Sequence, residues 1–262
     1  MKTNLAALVA GMALVCALSA CGGGGDGSSP SAAQPQPASS APTTADTPST
    51  PKSVLIEAYG DSTTLGWESL NGVGFVTTAN EPAILQSKLQ AQFGSTIAVD
   101  NLGIGGMEAS QILNGTGKAQ RPWAEQMANS KAQIITLNFG LNDAYYAKVP
   151  KKDVQIETPE DYASIMTQLV QIARGTGKQV VLFEPNPTCE PIREPVMQDY
   201  VSELRRVARD QNVPLVAEFD AIMQMHGWQS MLTDCLHPSD ALYDIKANLE
   251  LPAISAIVIG YL

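Results

Sequence analysis

Hydrophobic patterning divides the chain into three stretches. Nearly every position from Leu5 to Leu18 is Ala, Leu, Val, Met or Gly. From Gly22 to about Pro51 the residues are mostly Gly, Ser, Ala, Pro, Thr and Gln, with no large apolar side chain. Beyond Lys52, short apolar runs alternate with stretches of helical periodicity. Ser53 to Tyr59 (SVLIEAY) has the length of a buried strand and is closed by the turn signal Gly60-Asp61. Thr96–Asn101, Gln133–Phe139, Gln179–Glu184 and Pro214–Glu218 read the same way. Between them, helical spacing appears at Ile84, Leu85, Leu89 and Phe93, at Tyr162, Ile165, Leu169 and Ile172, and at Val196, Tyr200, Leu204 and Val207. Thr158 is the expected N-cap of the second of these helices, with Pro159 at its first position and Gly175 at its end. A last helix is expected from Ser239 onward, interrupted at Pro252. Buried strands alternating with amphipathic helices predict an α/β fold: a parallel sheet with helices on both faces.

Ligands of such a sheet bind outside the carboxyl ends of its strands. The turns there read Gly60-Asp61-Ser62, Gly103-Ile104-Gly105-Gly106, Gly140-Leu141-Asn142-Asp143 and Pro185-Asn186-Pro187. They are small, polar or glycine-rich, as a site requires.

The chain has 262 residues, of which 44% are hydrophobic and 16% charged, enough for one domain over 52–262 once the N-terminus is set aside. A net charge of −10 provides no electrostatic footprint for nucleic acid. Lys2 followed by the short apolar stretch reads as an export signal over residues 1–20, too short for a membrane span. Leu18-Ser19-Ala20-Cys21 resembles a bacterial lipobox. That resemblance implies lipidation of Cys21 and a membrane-anchored exported lipoprotein, in the outer membrane, the periplasm or at the cell surface; the alternative is an ordinary signal peptide with Cys21 incidental. Residues 21–51 then form a tether, which fully extended reaches about 100 Å. Cys16 leaves with the signal, so Cys189 and Cys235 remain in the domain. An oxidising compartment favours a disulfide between them, the alternative being two buried thiols.

A serine attacks a carbonyl when a base removes its proton, and rate follows when donors hold the oxyanion. Ser62 follows the first strand directly. In Asp234-Cys235-Leu236-His237-Pro238 an aspartate precedes a histidine by three residues, which allows it to hold Nδ1 while Nε2 faces the serine. Gly106 and Asn142 end the next two turns and supply a backbone N–H and a carboxamide.

These stretches together resemble the SGNH (GDSL-like) serine hydrolase family. Gly60-Asp61-Ser62-Thr63 is similar to its first block, with Thr63 where leucine is usual. Asn101 to Gly106, Gly140 to Asp143 and Asp234 to Pro238 are similar to the later blocks, in the same order. The resemblance implies a three-layer α/β/α sandwich of flavodoxin-like form with a five-stranded parallel sheet, and hydrolysis of carboxylic esters without metal or organic cofactor. It implies catalytic Ser62, Asp234 and His237, with an oxyanion hole from Ser62, Gly106 and Asn142. A slip of one residue would put Gly105 in place of Gly106.

Metal binding needs three or more ligands, and the only other histidine is His226. A dinucleotide loop at Gly103–Gly106 is disfavoured by Glu108 where a third glycine belongs. The expected partner is a small-molecule or glycan ester, with the protein a monomer. A carbohydrate O-acetylesterase or acyltransferase of the cell envelope is the alternative within the same chemistry; a non-catalytic surface binding protein is the alternative outside it. Trp67, Phe75, Tyr145, Tyr146, Trp228 and Met231 lie near the blocks, and the sequence assigns them no role.

Overall fold

A computed structural model describes residues 52–262. The expected export signal at 1–20, the expected lipidation of Cys21 and the expected tether at 21–51 lie outside the described residues. In chain order the elements are β1 (Val54–Gly60), α1 (Ser62–Leu65), β2 (Trp67–Leu70), β3 (Val73–Val76), α2 (Glu81–Phe93), β4 (Ile97–Asn101), α3 (Ala109–Asn114), α4 (Trp123–Asn129) and β5 (Ile134–Asn138). They continue as α5 (Leu141–Lys148), α6 (Pro159–Gly175), β6 (Gln179–Phe183), α7 (Met197–Gln211), β7 (Leu215–Val216), α8 (Glu218–Met223) and α9 (Asp240–Val258).

Five strands form one parallel sheet in the order β4-β1-β5-β6-β7. The expected five-stranded α/β/α sandwich is the observed architecture. The chain leaves β1 for β4 on one side and then crosses to β5 on the other, so the order reverses at β1. That switch point opens a crevice at the carboxyl ends of these three strands. Alternate side chains feed two cores. Val54, Ile56 and Ala58 of β1 pack with Leu85 and Leu89 of α2 and with Ile254 and Val258 of α9. Tyr59 of β1 and Leu137 of β5 face the other way, into a core with Trp123 of α4, Leu169 of α6 and Leu204 of α7.

Helix α6 starts as expected: Thr158 Oγ1 accepts from Asp161 N at 3.1 Å, and Asp161 Oδ2 accepts from Thr158 N at 3.1 Å. Two expectations are corrected. Pro252 does not interrupt the last helix, which runs through it from Asp240 to Val258. The lost backbone hydrogen bond costs about 3 kcal/mol, and buried Leu242, Tyr243, Ala247, Ile254 and Val258 on either side of the proline offset it. The fifth strand is only Leu215–Val216; as an edge it pairs with β6 alone, and Glu218 already begins α8. The hairpin of β2 and β3 was not anticipated. It turns at Asn71-Gly72, both with positive φ (52° and 78°), the geometry that Asn-Gly favours.

At the start of α2 and α8, Glu81 and Glu218 meet Glu250 of α9, all three buried. Lys246 Nζ, fully buried, ion-pairs with Glu81 at 2.5 Å and Glu218 at 3.2 Å. Burial raises the carboxyl of Glu218 to about 8, against the pull of Lys246. Removing one partner of a buried charge cluster leaves the others unpaired. Lys246→Met should therefore lower the unfolding free energy by about 3 kcal/mol or more, read as a reduced urea midpoint.

Candidate active site

Asp61 converts the end of β1 into a helix start. Its Oδ1 accepts from Thr63 N at 2.8 Å and from Thr63 Oγ1 at 2.9 Å, which caps α1. Ser62 is thus the first helical residue, where a backbone N–H has no intrahelical acceptor. The other carboxylate oxygen of Asp61 accepts from Asn142 Nδ2 at 3.2 Å. Full burial raises the Asp61 carboxyl, while the Thr63 donors work in the opposite direction.

The loop after β4 is pinned to the same helix. Asn101 Nδ2 donates to Thr64 O at 2.9 Å, and Gly103 N donates to Asn101 Oδ1 at 3.0 Å. A Cβ at Gly103 would collide with the backbone of Leu65, so only glycine lets the loop come this close. Ile104 N donates to Gly60 O at 2.9 Å. Gly105 and Gly106 follow, Gly106 at φ +76°, and neither N–H has a partner among the described residues.

At the end of β5, Asp143 fastens two loops together. Its carboxylate accepts from Ala109 N at 2.9 Å and from Gly140 N at 3.0 Å. Glu157 accepts from Ser110 N at 3.1 Å beside it. Burial raises the carboxyl of Asp143, with Glu157 adding to the effect. Glu108, fully buried nearby, is pushed up to about 8 by desolvation and then by Asp143.

The histidine comes from the loop before α9. His237 Nδ1 lies 2.8 Å from Asp234 Oδ2, and its Nε2 lies 2.9 Å from Ser62 Oγ. Asp234 Oδ1 accepts from His237 N at 2.8 Å and Leu236 N at 3.2 Å. Partial desolvation raises the Asp234 carboxyl, but these donors and the imidazole outweigh it and leave it below the ordinary value. A carboxylate held ionised is acceptor-only, so Nδ1 carries the proton and Nε2 accepts from the serine hydroxyl.

Cys189 and Cys235 are joined in a disulfide. Cys235 sits at φ +64°, a left-handed conformation costly for a side-chain-bearing residue. The segment after β6 holds it there: Thr188 Oγ1 and Cys189 N donate to Cys235 O at 2.6 and 2.9 Å, and Asn186 Nδ2 donates to Leu236 O at 3.1 Å. The Pro185-Asn186-Pro187 turn thus supports the histidine loop.

Ser62, Asn142, His237, Gly105 and Gly106 line one cleft of about 320 Å³, together with Trp67, Lys118, Arg193 and Leu236. The expected residues Ser62, His237, Gly106 and Asn142 therefore meet at one cleft, and Asp234 stands behind them on His237. Asn142 differs from expectation in one respect: its Nδ2 already donates to Asp61 and, at 3.1 Å, to Met107 O. His226 is exposed and lines none of the cavities described.

Sequence reasoning gave no role to Trp67, and did not single out Lys118 or Arg193. Trp67 stacks on Gly74 across the hairpin, where a Cβ would strike the indole, and its ring centroid is 6.4 Å from that of His237. The Asn71-Gly72 turn was the available signal for this hairpin. Arg193 is buried, donating to Leu141 O at 3.0 Å and Glu190 at 2.9 Å, with its guanidinium 4.2 Å from the Tyr145 ring centroid. No local pattern marks Arg193 or Lys118; tertiary folding alone brings them to the cleft. Of the other residues near the blocks, Phe75 is exposed, and Trp228 and Met231 pack with Ile222 and Leu242.

A family model described as GDSL-like lipase/acylhydrolase matches residues 58–245. Among solved structures, a lipase/acylhydrolase from Enterococcus faecalis is similar at 18% identity and TM-score 0.62, covering 78% of this chain and 96% of that one. An acetylxylan esterase from Geobacillus stearothermophilus is similar at 21% identity and TM-score 0.60, covering 78% and 94%. An α/β hydrolase from the metagenome of Lake Arreo, Spain, is similar at 23% identity and TM-score 0.60, covering 77% and 95%. At these identities the structural likeness concerns the fold. A comparison with curated proteins found no match.

The raised carboxyl of Glu108 gives a signed pH dependence. The folded state binds its proton more tightly than the unfolded chain does. Its contribution is fully present below the unfolded value near 4.3, and is lost as pH rises toward the folded value of about 8. Glu108→Gln should flatten the fall in stability between those limits. Urea midpoints at pH 5 and pH 8.5, compared for the two proteins, check it.

Proposed function

We propose that this chain, which belongs to the GDSL-like lipase/acylhydrolase family, hydrolyses carboxylic esters through an acyl-enzyme on Ser62. The observation that carries the proposal is the relay Ser62 Oγ to His237 Nε2 at 2.9 Å and His237 Nδ1 to Asp234 at 2.8 Å, open to a cleft. The Ser62 hydroxyl gives its proton to Nε2 as Oγ bonds to the ester carbon. Negative charge moves to the carbonyl oxygen, where the N–H groups of Ser62 and Gly106 receive it. Asn142 adds a carboxamide proton by sharing or giving up its bond to Met107 O. The left-handed turn at Gly106 favours glycine at that position. Collapse of the adduct breaks the bond to the alcohol oxygen, which takes the proton from His237. Water then repeats the cycle on the acyl-enzyme and releases the acid. Asp234 keeps the imidazole in the required tautomer and stabilises it while it is protonated.

A short acyl group fits the cleft best, because its volume of about 320 Å³ is small and Trp67 and Leu236 close part of its wall. The same feature favours a carbohydrate O-acetylesterase over a long-chain lipase. The short apolar stretch after Lys2 and the resemblance of Leu18–Cys21 to a lipobox support export and anchoring through Cys21, with the domain facing an envelope or external substrate.

Ser62→Ala should abolish hydrolysis of p-nitrophenyl acetate and covalent labelling by a fluorophosphonate, while leaving the circular dichroism unchanged. Activity of the variant within threefold of wild type would contradict the role of Ser62. Wild-type rates should fall from acetate to octanoate esters; the opposite trend would favour the lipase reading. Asp61→Ala releases both the helix carrying Ser62 and the Asn142 carboxamide. We expect kcat to fall by up to about 10²-fold, with KM changed far less, in steady-state assays of the acetate ester.

A further inference from the structure

A second cavity, of about 390 Å³, adjoins the catalytic cleft and shares Gly105, Gly106 and Lys118 with it. Its volume falls within the range of about 300–1,000 Å³ usual for small-molecule sites. The far wall comes from Tyr146 of α5 and from Lys151, Lys152 and Asp153 in the segment after it. Three lysines therefore surround one space and face a single carboxylate, in a chain whose net charge is −10. Among the described residues none of the three forms an ion pair. Lys118 is fixed at the junction of the two spaces, donating from Nζ to Gly105 O at 2.9 Å. Lys151 Nζ lies over the Tyr146 ring, 6.0 Å from its centroid, which holds that ammonium at the edge of the cavity.

We infer that this cavity is a subsite for an anionic group carried by the ester substrate, and that the group is the carboxylate of an acidic sugar. Three like charges around one space repel one another, and an anion between them removes that repulsion at the cost of ordering their side chains. The cavity joins the cleft at the Gly105–Gly106 turn, so one substrate can occupy both spaces with its ester at Ser62. The inference rests on the esterase reading and specifies its substrate: an O-acetylated uronate in preference to a neutral O-acetylated sugar.

The test uses the full chain and matched esters. Acetate release is measured from a methyl O-acetyl-glucuronide, from the corresponding glucoside and from its 6-sulfate, with p-nitrophenyl acetate as the small reference. Wild type should prefer the glucuronide to the glucoside by about tenfold in kcat/KM at low salt, the size expected for two or three exposed charge contacts. Added salt should reduce that ratio. The double variant Lys151→Gln/Lys152→Gln should bring it close to one while leaving p-nitrophenyl acetate hydrolysis unchanged. Equal rates on glucuronide and glucoside, or a preference that survives the double variant, would overturn the subsite. A preference for the 6-sulfate alone would overturn the carboxylate assignment. Loss of the esterase reading looks different, since p-nitrophenyl acetate would then not be hydrolysed at all. Calorimetry of methyl glucuronide and methyl glucoside with the Ser62→Ala protein reads binding without turnover; tighter binding of the glucuronide supports the subsite, and equal binding rejects it.

Discussion

The carboxylate of Asp61 is almost wholly buried and must find its hydrogen bonds inside the protein. One oxygen takes two donors from Thr63, and the other takes the carboxamide of Asn142. The two oxygens of a single rigid group thus fix the helix that presents Ser62 and the side chain across from it. Strands β1 and β5 pair in register up to Gly60 and Asn138, so the sheet delivers the two partners to the right height. The carboxylate then sets their final separation. Because desolvation raises its carboxyl, these donors are also what keep Asp61 usable as a double acceptor.

The histidine side of the site is held by a different means. No regular element carries His237; the loop that does is tied to the segment after β6 by one disulfide and three hydrogen bonds. The positive φ of Cys235 shows that this loop would not adopt its shape unaided. Catalytic loops need definition without a long helix or strand to supply it, and covalent closure limits the alternatives available. Asp234 adds a local clamp by bonding the backbone N–H and the ring of the same histidine.

Much of this was legible beforehand for identifiable reasons. Strands buried on both faces, such as Val180–Phe183 of β6, appear as unbroken apolar runs, and their ends mark where ligands bind. Ser62, Asn142 and His237 could be found because each lies in a short stretch whose chemistry is recognisable locally. The β2–β3 hairpin escaped because Leu70, Val73 and Val76 are apolar yet exposed, which spoils the alternation expected of a half-buried strand. The path through Pro252 escaped because local propensity forbids it and tertiary burial overrides it. Arg193 and the lysine-lined cavity could not be read at all, since they depend on loops whose positions no periodicity encodes.

The polar groups that shape the site are largely buried: Asp61, Glu108, Asn142, Asp143 and Glu157 have little or no contact with solvent. Each costs desolvation energy that an apolar residue would not, and the raised carboxyls of Asp143 and Glu108 record that cost. An apolar packing of the same volume would be more stable, but it would not fix Ala109 N and Gly140 N to one carboxylate. The atoms that position the oxyanion loops are therefore the atoms that weaken the core, which is the usual relation between a preorganised site and its scaffold. In this molecule the two large apolar clusters on either face of the sheet supply the surplus stability that makes such a site tolerable.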